Sequence, residues 1–188
     1  MHVIIDNMEK IKVKICLLGN GAVGKTSIVG RYVENTFSEK YLPTIGTRTS
    51  KKTTVIEDPE TKKDVSFDFI FWDIMGQGSF RKVLHPTYLT GAKGAVLVCD
   101  LTRRETFEDL DYWIYTLLDE WQLVPMVFIA NKNDLKESSE FKVREMESLA
   151  ATYDSSFYTT SAKSGENIEE LFKSLGQEIM KDIKAASN

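Results

Sequence analysis

Short apolar, β-branched runs alternate along this chain with stretches in which apolar residues recur every three or four positions. The first pattern predicts strands near 12–18, 46–56, 65–72, 94–100, 125–130 and 155–159. The second predicts helices near 25–34, 80–89, 104–121, 142–152 and 167–184. Such alternation is the signature of an α/β fold, a mostly parallel sheet with helices on both faces. One junction departs from it. The polar, proline-containing stretch from Glu57 to Asp64 joins two strand patterns with no helical period between them. It predicts a hairpin, hence five parallel strands and one antiparallel strand at the edge side of a six-stranded mixed sheet. The last helical pattern aligns Ile168, Leu171, Phe172, Leu175, Ile179 and Ile183 on one stripe, which reads as a core-facing amphipathic helix. The charged cluster from Lys136 to Glu140 is a solvated loop, and no repeat, linker or low-complexity segment interrupts the pattern.

The polar residues that stand out all follow apolar strand patterns, and in open α/β sheets ligands bind beyond the carboxyl ends of the strands. After the first comes Gly19-Asn20-Gly21-Ala22-Val23-Gly24-Lys25-Thr26, which fits the phosphate-binding P-loop and opens a helical pattern. Its glycines let successive backbone N–H groups turn toward an anion at a helix N-terminus. Lys25 can reach β- and γ-phosphate oxygens, and the Thr26 hydroxyl is placed to hold Mg²⁺. Asp73 ends the third strand pattern and matches the carboxylate that holds Mg²⁺ beside that hydroxyl; the lesser reading, an aspartate capping the next helix, loses ground beside a P-loop. Gly76 can bring its N–H to a γ-phosphate, and Gln77 can orient an attacking water. The fold class is therefore the three-layer P-loop nucleoside triphosphatase type.

Asn131-Lys132-Asn133-Asp134 follows the fifth strand pattern and points to the base. Guanine offers N1–H and the N2 amino group as adjacent donors, and one carboxylate at Asp134 can accept both. Adenine lacks that donor pair, and mismatched buried polar groups can discriminate by about 10⁴–10⁵. Lys132 can lay its aliphatic stem along the base, and Asn131 can tie this loop to the P-loop. Ser161-Ala162-Lys163 follows the sixth strand pattern and can reach the same ligand.

Composition narrows the picture. At 188 residues, 42% hydrophobic and 28% charged, the chain suits one globular domain, expected to span residues 1–188 with its core at about 10–184. A net charge of −4 gives no electrostatic footprint for nucleic acid. Cys16 and Cys99 lie inside apolar runs and read as buried free thiols; His2 and His85 lack ligand-type spacing. No run approaches the roughly 18 apolar residues that cross a bilayer. Neither a signal peptide, a myristoylation pattern nor a C-terminal cysteine for prenylation is legible, so the expectation is a cytoplasmic chain without a direct lipid anchor.

On these motifs the chain resembles the Ras superfamily of small GTPases over residues 10–184. It lies closest to the Rab-like and Ras-like branches through Trp72-Asp73, Gly76-Gln77, Phe80-Arg81, Tyr88 and Gly91-Ala92. The resemblance implies a monomeric GTP/GDP switch with Mg²⁺ as cofactor. It places nucleotide contacts at Gly19 through Ser27, including Val23. It makes Phe37 the aromatic against guanine, Tyr41 an aromatic closing over the phosphates, and Thr44 the Mg²⁺ ligand that senses the γ-phosphate. Ala162 would donate its N–H to guanine O6. Effector, exchange and activating proteins would read switch I (about 37–49) and switch II (73–88); without a cysteine anchor in these residues, either the anchor was cut away, or membranes are reached only through a partner, or not at all.

Three departures qualify the resemblance. Met75 stands where the family usually has a small residue, Gly78 and Ser79 replace a charged pair, and the C-terminal cysteine anchor is missing from these 188 residues. The leading expectation is slow GTP hydrolysis, with Gln77, Lys25, Thr44 and Gly76 as the catalytic set. A binding module with little or no hydrolysis is the alternative. An ATP-dependent P-loop kinase is the third reading, and Asn131 and Asp134 count against it.

Overall fold

The computed structural model describes residues 9–40, 42–76, 88–120 and 124–186. Six strands form one sheet: β1 (Lys10–Leu18), β2 (Thr47–Glu57), β3 (Asp64–Ile74), β4 (Ala92–Asp100), β5 (Met126–Asn131) and β6 (Ser156–Thr159). Their order is β2-β3-β1-β4-β5-β6. All neighbours run parallel except β2 and β3, which form the expected antiparallel hairpin from Thr47↔Ile74 to Glu57↔Asp64. The helices are α1 (Lys25–Glu34), α2 (Arg104–Glu108), α3 (Leu110–Glu120), α4 (Val143–Thr152) and α5 (Ile168–Ala186), with a 3₁₀ segment at Asn133–Ser138.

The two-residue period of the strands sorts side chains into two cores. Val13, Ile15 and Leu17 of β1, with Phe67, Phe69 and Phe71 of β3, face a layer built by α1 and α5. Phe172 of α5 fills that layer, its ring 5.0 Å from Phe71 and 4.2 Å from Tyr32. Cys16 and Leu18 face the opposite layer, where Leu110, Trp113, Ile114 and Leu117 of α3 pack with Met146 of α4. The α5 stripe is buried through Ile168, Leu171, Phe172, Leu175 and Ile179, and Ile183 packs at its margin. Cys16 and Cys99 are buried free thiols; burial pushes the Cys16 thiol up to about 12 and raises that of Cys99 as well.

Two elements near the site differ from the sequence pattern, and a third cannot be compared. β3 continues past residue 72 to Ile74, because its last residues still pair with Thr47 and Arg48 of β2. Asp73 is thus inside the strand rather than after it. The helix expected over 104–121 is divided at Asp109, where the bond from Trp113 N to Asp109 O stretches to 3.4 Å. The helix expected near 80–89 falls outside the described residues except for Tyr88 and Leu89, which are helical. His2, His85, Gly78 and Ser79 also lie outside them. Among the described residues no helix is long and apolar enough to cross a membrane.

Candidate functional site

The loop between β1 and α1 is shaped by backbone that only glycine accepts comfortably. Gly24 has φ 101°, and a Cβ there would lie 2.3 Å from Asn131 Nδ2. Lys25 opens α1, is 6% exposed, and donates from Nζ to the carbonyls of Gly19 and Asn20, each at 2.7 Å. Its ammonium is held over the loop that would receive phosphates. Asn20 turns its side chain away from the cavity: Nδ2 donates to Asp109 at 2.7 Å and Oδ1 accepts the Trp113 indole N–H at 3.0 Å. The P-loop is therefore moored to α3.

Thr26, Thr44 and Asp73 converge although they come from α1, the segment before β2, and β3. The Thr26 hydroxyl donates to Asp73 Oδ2 and lies 3.1 Å from the Thr44 hydroxyl. Register places Asp73 beside Leu17 at the end of β1, which explains the proximity. Asp73 is 2% exposed, and its Oδ1 has no hydrogen-bond partner among the described residues. Burial pushes its carboxyl up, against the opposing pull of the Thr26 hydroxyl and the charges of Lys25 and Arg48. A buried, unsatisfied carboxylate oxygen beside two hydroxyls is a costly arrangement that a hard cation would relieve. The donor set fits Mg²⁺.

Gly76 follows immediately, packed on the P-loop: a Cβ there would stand 2.2 Å from Gly19 O and 2.4 Å from the Asn20 carbonyl carbon. Met75 donates its N–H to Gly46 O at 3.0 Å, and its side chain packs against the core beneath α3. The ends of the two expected switch segments thus touch. Gln77 and Tyr41 lie outside the described residues.

The far end of the site is assembled around Asn131, 2% exposed at the end of β5. Its Nδ2 donates to Val23 O at 2.8 Å, while its Oδ1 accepts from Thr160 Oγ1 at 3.1 Å and from the Ala162 N–H at 3.3 Å. One side chain joins the P-loop to both later loops. Asp134 accepts the Ser161 hydroxyl at 2.6 Å, which aims its carboxylate. Lys163 pairs with Glu39 at 2.9 Å across the mouth. Phe37, 36% exposed, lines the same cavity of about 730 Å³ as Lys25, Thr44, Asp73, Asp134 and Ala162. Ser27, Gly21, Ala22 and Gly76 also line it, whereas Gly19, Val23 and Ser161 act from behind.

Sequence reasoning passed over several residues here. Asp100, wholly buried at the end of β4, lies 2.6 Å from Lys132 Nζ and accepts from Arg103 Nε at 3.0 Å and Thr102 N at 3.0 Å. Burial alone would raise its carboxyl, but the Lys132 and Thr102 hydrogen bonds outweigh that and hold it below the usual range. Arg103 then donates from Nη2 to Gly21 O at 2.9 Å. Asp100 was findable, since it too is a lone acid closing an apolar strand run. Arg103 and Arg31, whose contacts span the chain, carry no local signal.

Comparison with known proteins agrees with this geometry. The model of the Ras family matches residues 14–181. The mouse (Mus musculus) Ras-related protein Rab-22A is 38% identical over 169 residues, covering 89% of this chain and 84% of its own. The rat (Rattus norvegicus) Ras-related protein Rab-31 is 34% identical over 169 residues, covering 89% and 83%. Ras-related protein Rab-13 of the same species is 33% identical over 168 residues, covering 89% and 79%.

Proposed function

The chain belongs to the Ras family as a Rab-like small GTPase, and from that premise we propose that it is a single G domain that binds GTP and GDP with Mg²⁺ and hydrolyses GTP slowly. The observation that carries this reading is the joining, in one cavity, of Lys25, Thr26, Thr44 and Asp73 with Asn131, Asp134 and Ala162.

In this reading the P-loop N–H groups and the start of α1 receive the phosphates. Lys25 moves its ammonium from two loop carbonyls onto β- and γ-phosphate oxygens. Thr26, Thr44 and Asp73 hold Mg²⁺, which when bound supplies positive charge against the charge developing on the phosphate oxygens. Asp134, aimed by Ser161, accepts the guanine N1–H and N2 amino donors, and Ala162 N–H donates to O6. Gln77 positions a water in line with the γ-phosphorus. Its attack breaks the bond to the β–γ bridging oxygen, giving GDP and phosphate. Thr44 and Gly76 are ordered by the γ-phosphate and released on its loss, so effector, exchange and activating proteins distinguish the two states. An arginine supplied by an activating protein would add about 10³–10⁵-fold, the range set by Ras and its relatives. The protein works as a cytoplasmic monomer that associates peripherally with membranes.

The alternative, a GTP-binding module with little hydrolysis, is favoured by Met75, a long side chain that lines the cavity next to Gly76. Single-turnover phosphate release from GTP-loaded protein, for wild type and Gln77→Leu, separates the two. Slow release that drops further in the variant supports the switch. Equal rates in both proteins remove Gln77 from the mechanism and favour the binding module.

A further inference from the structure

One guanidinium outside the motif residues makes four hydrogen bonds. Arg31, near the end of α1, donates from Nε to Ala162 O at 2.9 Å and from Nη2 to Lys163 O at 2.8 Å. Its Nη1 donates to Asn35 Oδ1 at 3.0 Å and Asn35 O at 3.2 Å, at the left-handed residue that caps the same helix. The planar fork is therefore fixed on one side by the helix end and grips two successive carbonyls of the base-side loop on the other. A lysine cannot reproduce that bidentate grip.

The grip falls where the loop needs it. Ser161 is already fixed by Gly165 N, which donates to its carbonyl at 2.8 Å, and by the bond to Asp134. On the other side of the Ala162 residue, the N–H has only a long 3.3 Å bond to Asn131 Oδ1, an oxygen shared with Thr160. The orientation of Ala162 is thus set from its carbonyl side. Ala162 is 4% exposed and lines the cavity.

We propose that Arg31 is a positioning residue for base selection: by clamping the carbonyls of Ala162 and Lys163 it presents the Ala162 N–H to the C6 oxygen of guanine. The inference rests on the assignment of that N–H to O6 in the proposed function. Arg31 is not among the residues that line the cavity, and it acts through the loop.

The test is competition of three diphosphates against a fluorescent GDP on wild type, Arg31→Lys and Arg31→Met, with melting temperatures taken alongside. GDP and 6-thio-GDP differ at the C6 acceptor, whereas GDP and IDP differ at the amino group that Asp134 reads. The expected result is a GDP over 6-thio-GDP preference reduced about fivefold in both variants, the scale of one net hydrogen bond. The GDP over IDP preference stays within about twofold. Unchanged 6-thio-GDP discrimination in the variants overturns the role of Arg31 and leaves the O6 reading standing. A parallel fall in both preferences overturns it too, because Arg31 would then only stiffen the site. A wild type indifferent to 6-thio-GDP removes the O6 reading, and the inference with it. Should the methionine variant fail to fold, the lysine variant decides, since it keeps the charge and loses only the fork.

Discussion

Lys132 and Asp100 form a close ion pair, Nζ to Oδ2 at 2.6 Å, that locks the base-side motif onto the end of β4. Lys132 itself is in the left-handed region at φ 68°, so the pair holds a backbone conformation that few side chains adopt freely. Through Arg103 the same carboxylate reaches the carbonyl of Gly21 in the P-loop. Base and phosphate ends of the site share one buried anion.

Asp100→Asn is therefore expected to speed GDP release about tenfold and to lower unfolding stability by about 1–3 kcal/mol. The side chains of Lys132 and Arg103 are 32% and 33% exposed, so water recovers part of the loss and the lower half of that range is expected. Stopped-flow release of a fluorescent GDP and urea unfolding measure the two effects.

Asp73 gives a test by metal removal. Chelating Mg²⁺ is expected to accelerate GDP release from the wild type by about tenfold or more, as the phosphate charge loses its counter-ion. Asp73→Asn should release GDP quickly with Mg²⁺ present and respond little to chelation. Burial pushes the Asp73 carboxyl up, and only the ionised form binds a cation, so Mg²⁺ affinity should weaken as pH falls. Titration of Mg²⁺ into the nucleotide complex at two pH values checks the sign.

Gly76→Ala places a methyl 2.2 Å from Gly19 O, on backbone that cannot step aside. The expected outcome is near-normal GDP affinity but a loss of about tenfold in preference for a non-hydrolysable GTP analogue, since the variant displaces only the γ-phosphate side. Equal affinities for both nucleotides in wild type and variant would show that Gly76 has no part in sensing.

Where candidate chemistry is local, it is legible in the sequence. The P-loop and the Asn131-Lys132-Asp134 motif carry their chemistry within a few residues, and the structure brings them to one cavity. The alternation of strand and helix patterns likewise located every strand, because each is a buried run bounded by polar turns. What escaped was long-range. Arg31 meets Ala162 from 131 residues away and Arg103 meets Gly21 from 82, and no local period announces either. The division at Asp109 was hidden for the opposite reason: the apolar period runs through it, while its carboxylate is engaged by Asn20 from the P-loop.

Acid should expose another remote tie. Asp58, in the hairpin between β2 and β3, is 4% exposed and accepts from Lys184 of α5 at 2.6 Å and from Thr61 at 2.5 Å. The Lys184 and Thr61 hydrogen bonds hold its carboxyl well below the usual carboxylate range. A carboxyl depressed by folding contributes stability that is complete above its unfolded pKa, about 3.9, and is lost as pH falls from there toward the folded value. Melting temperature should therefore drop on going below about pH 4, and Asp58→Asn should flatten that drop while lowering stability at neutral pH. Thermal unfolding of both proteins across that range is the measurement.

The position of β2 at the outer edge of the sheet bears on how the protein survives crowding. An edge strand of 11 residues offers a row of unpaired backbone groups to any other extended chain. Its sequence, Thr47 to Glu57, sets Arg48, Lys51 and Lys52 along that row, and the opposite edge, β6, is only 4 residues long. Each of the three is held in an ion pair, Arg48 with Glu34 of α1, Lys51 with Asp68 of β3 and Lys52 with Glu169 of α5, so the side chains of this border are tied back into the protein. An incoming strand therefore finds a border laced by ion pairs on one side of the sheet and only a short one on the other, which limits fibre-like growth at both.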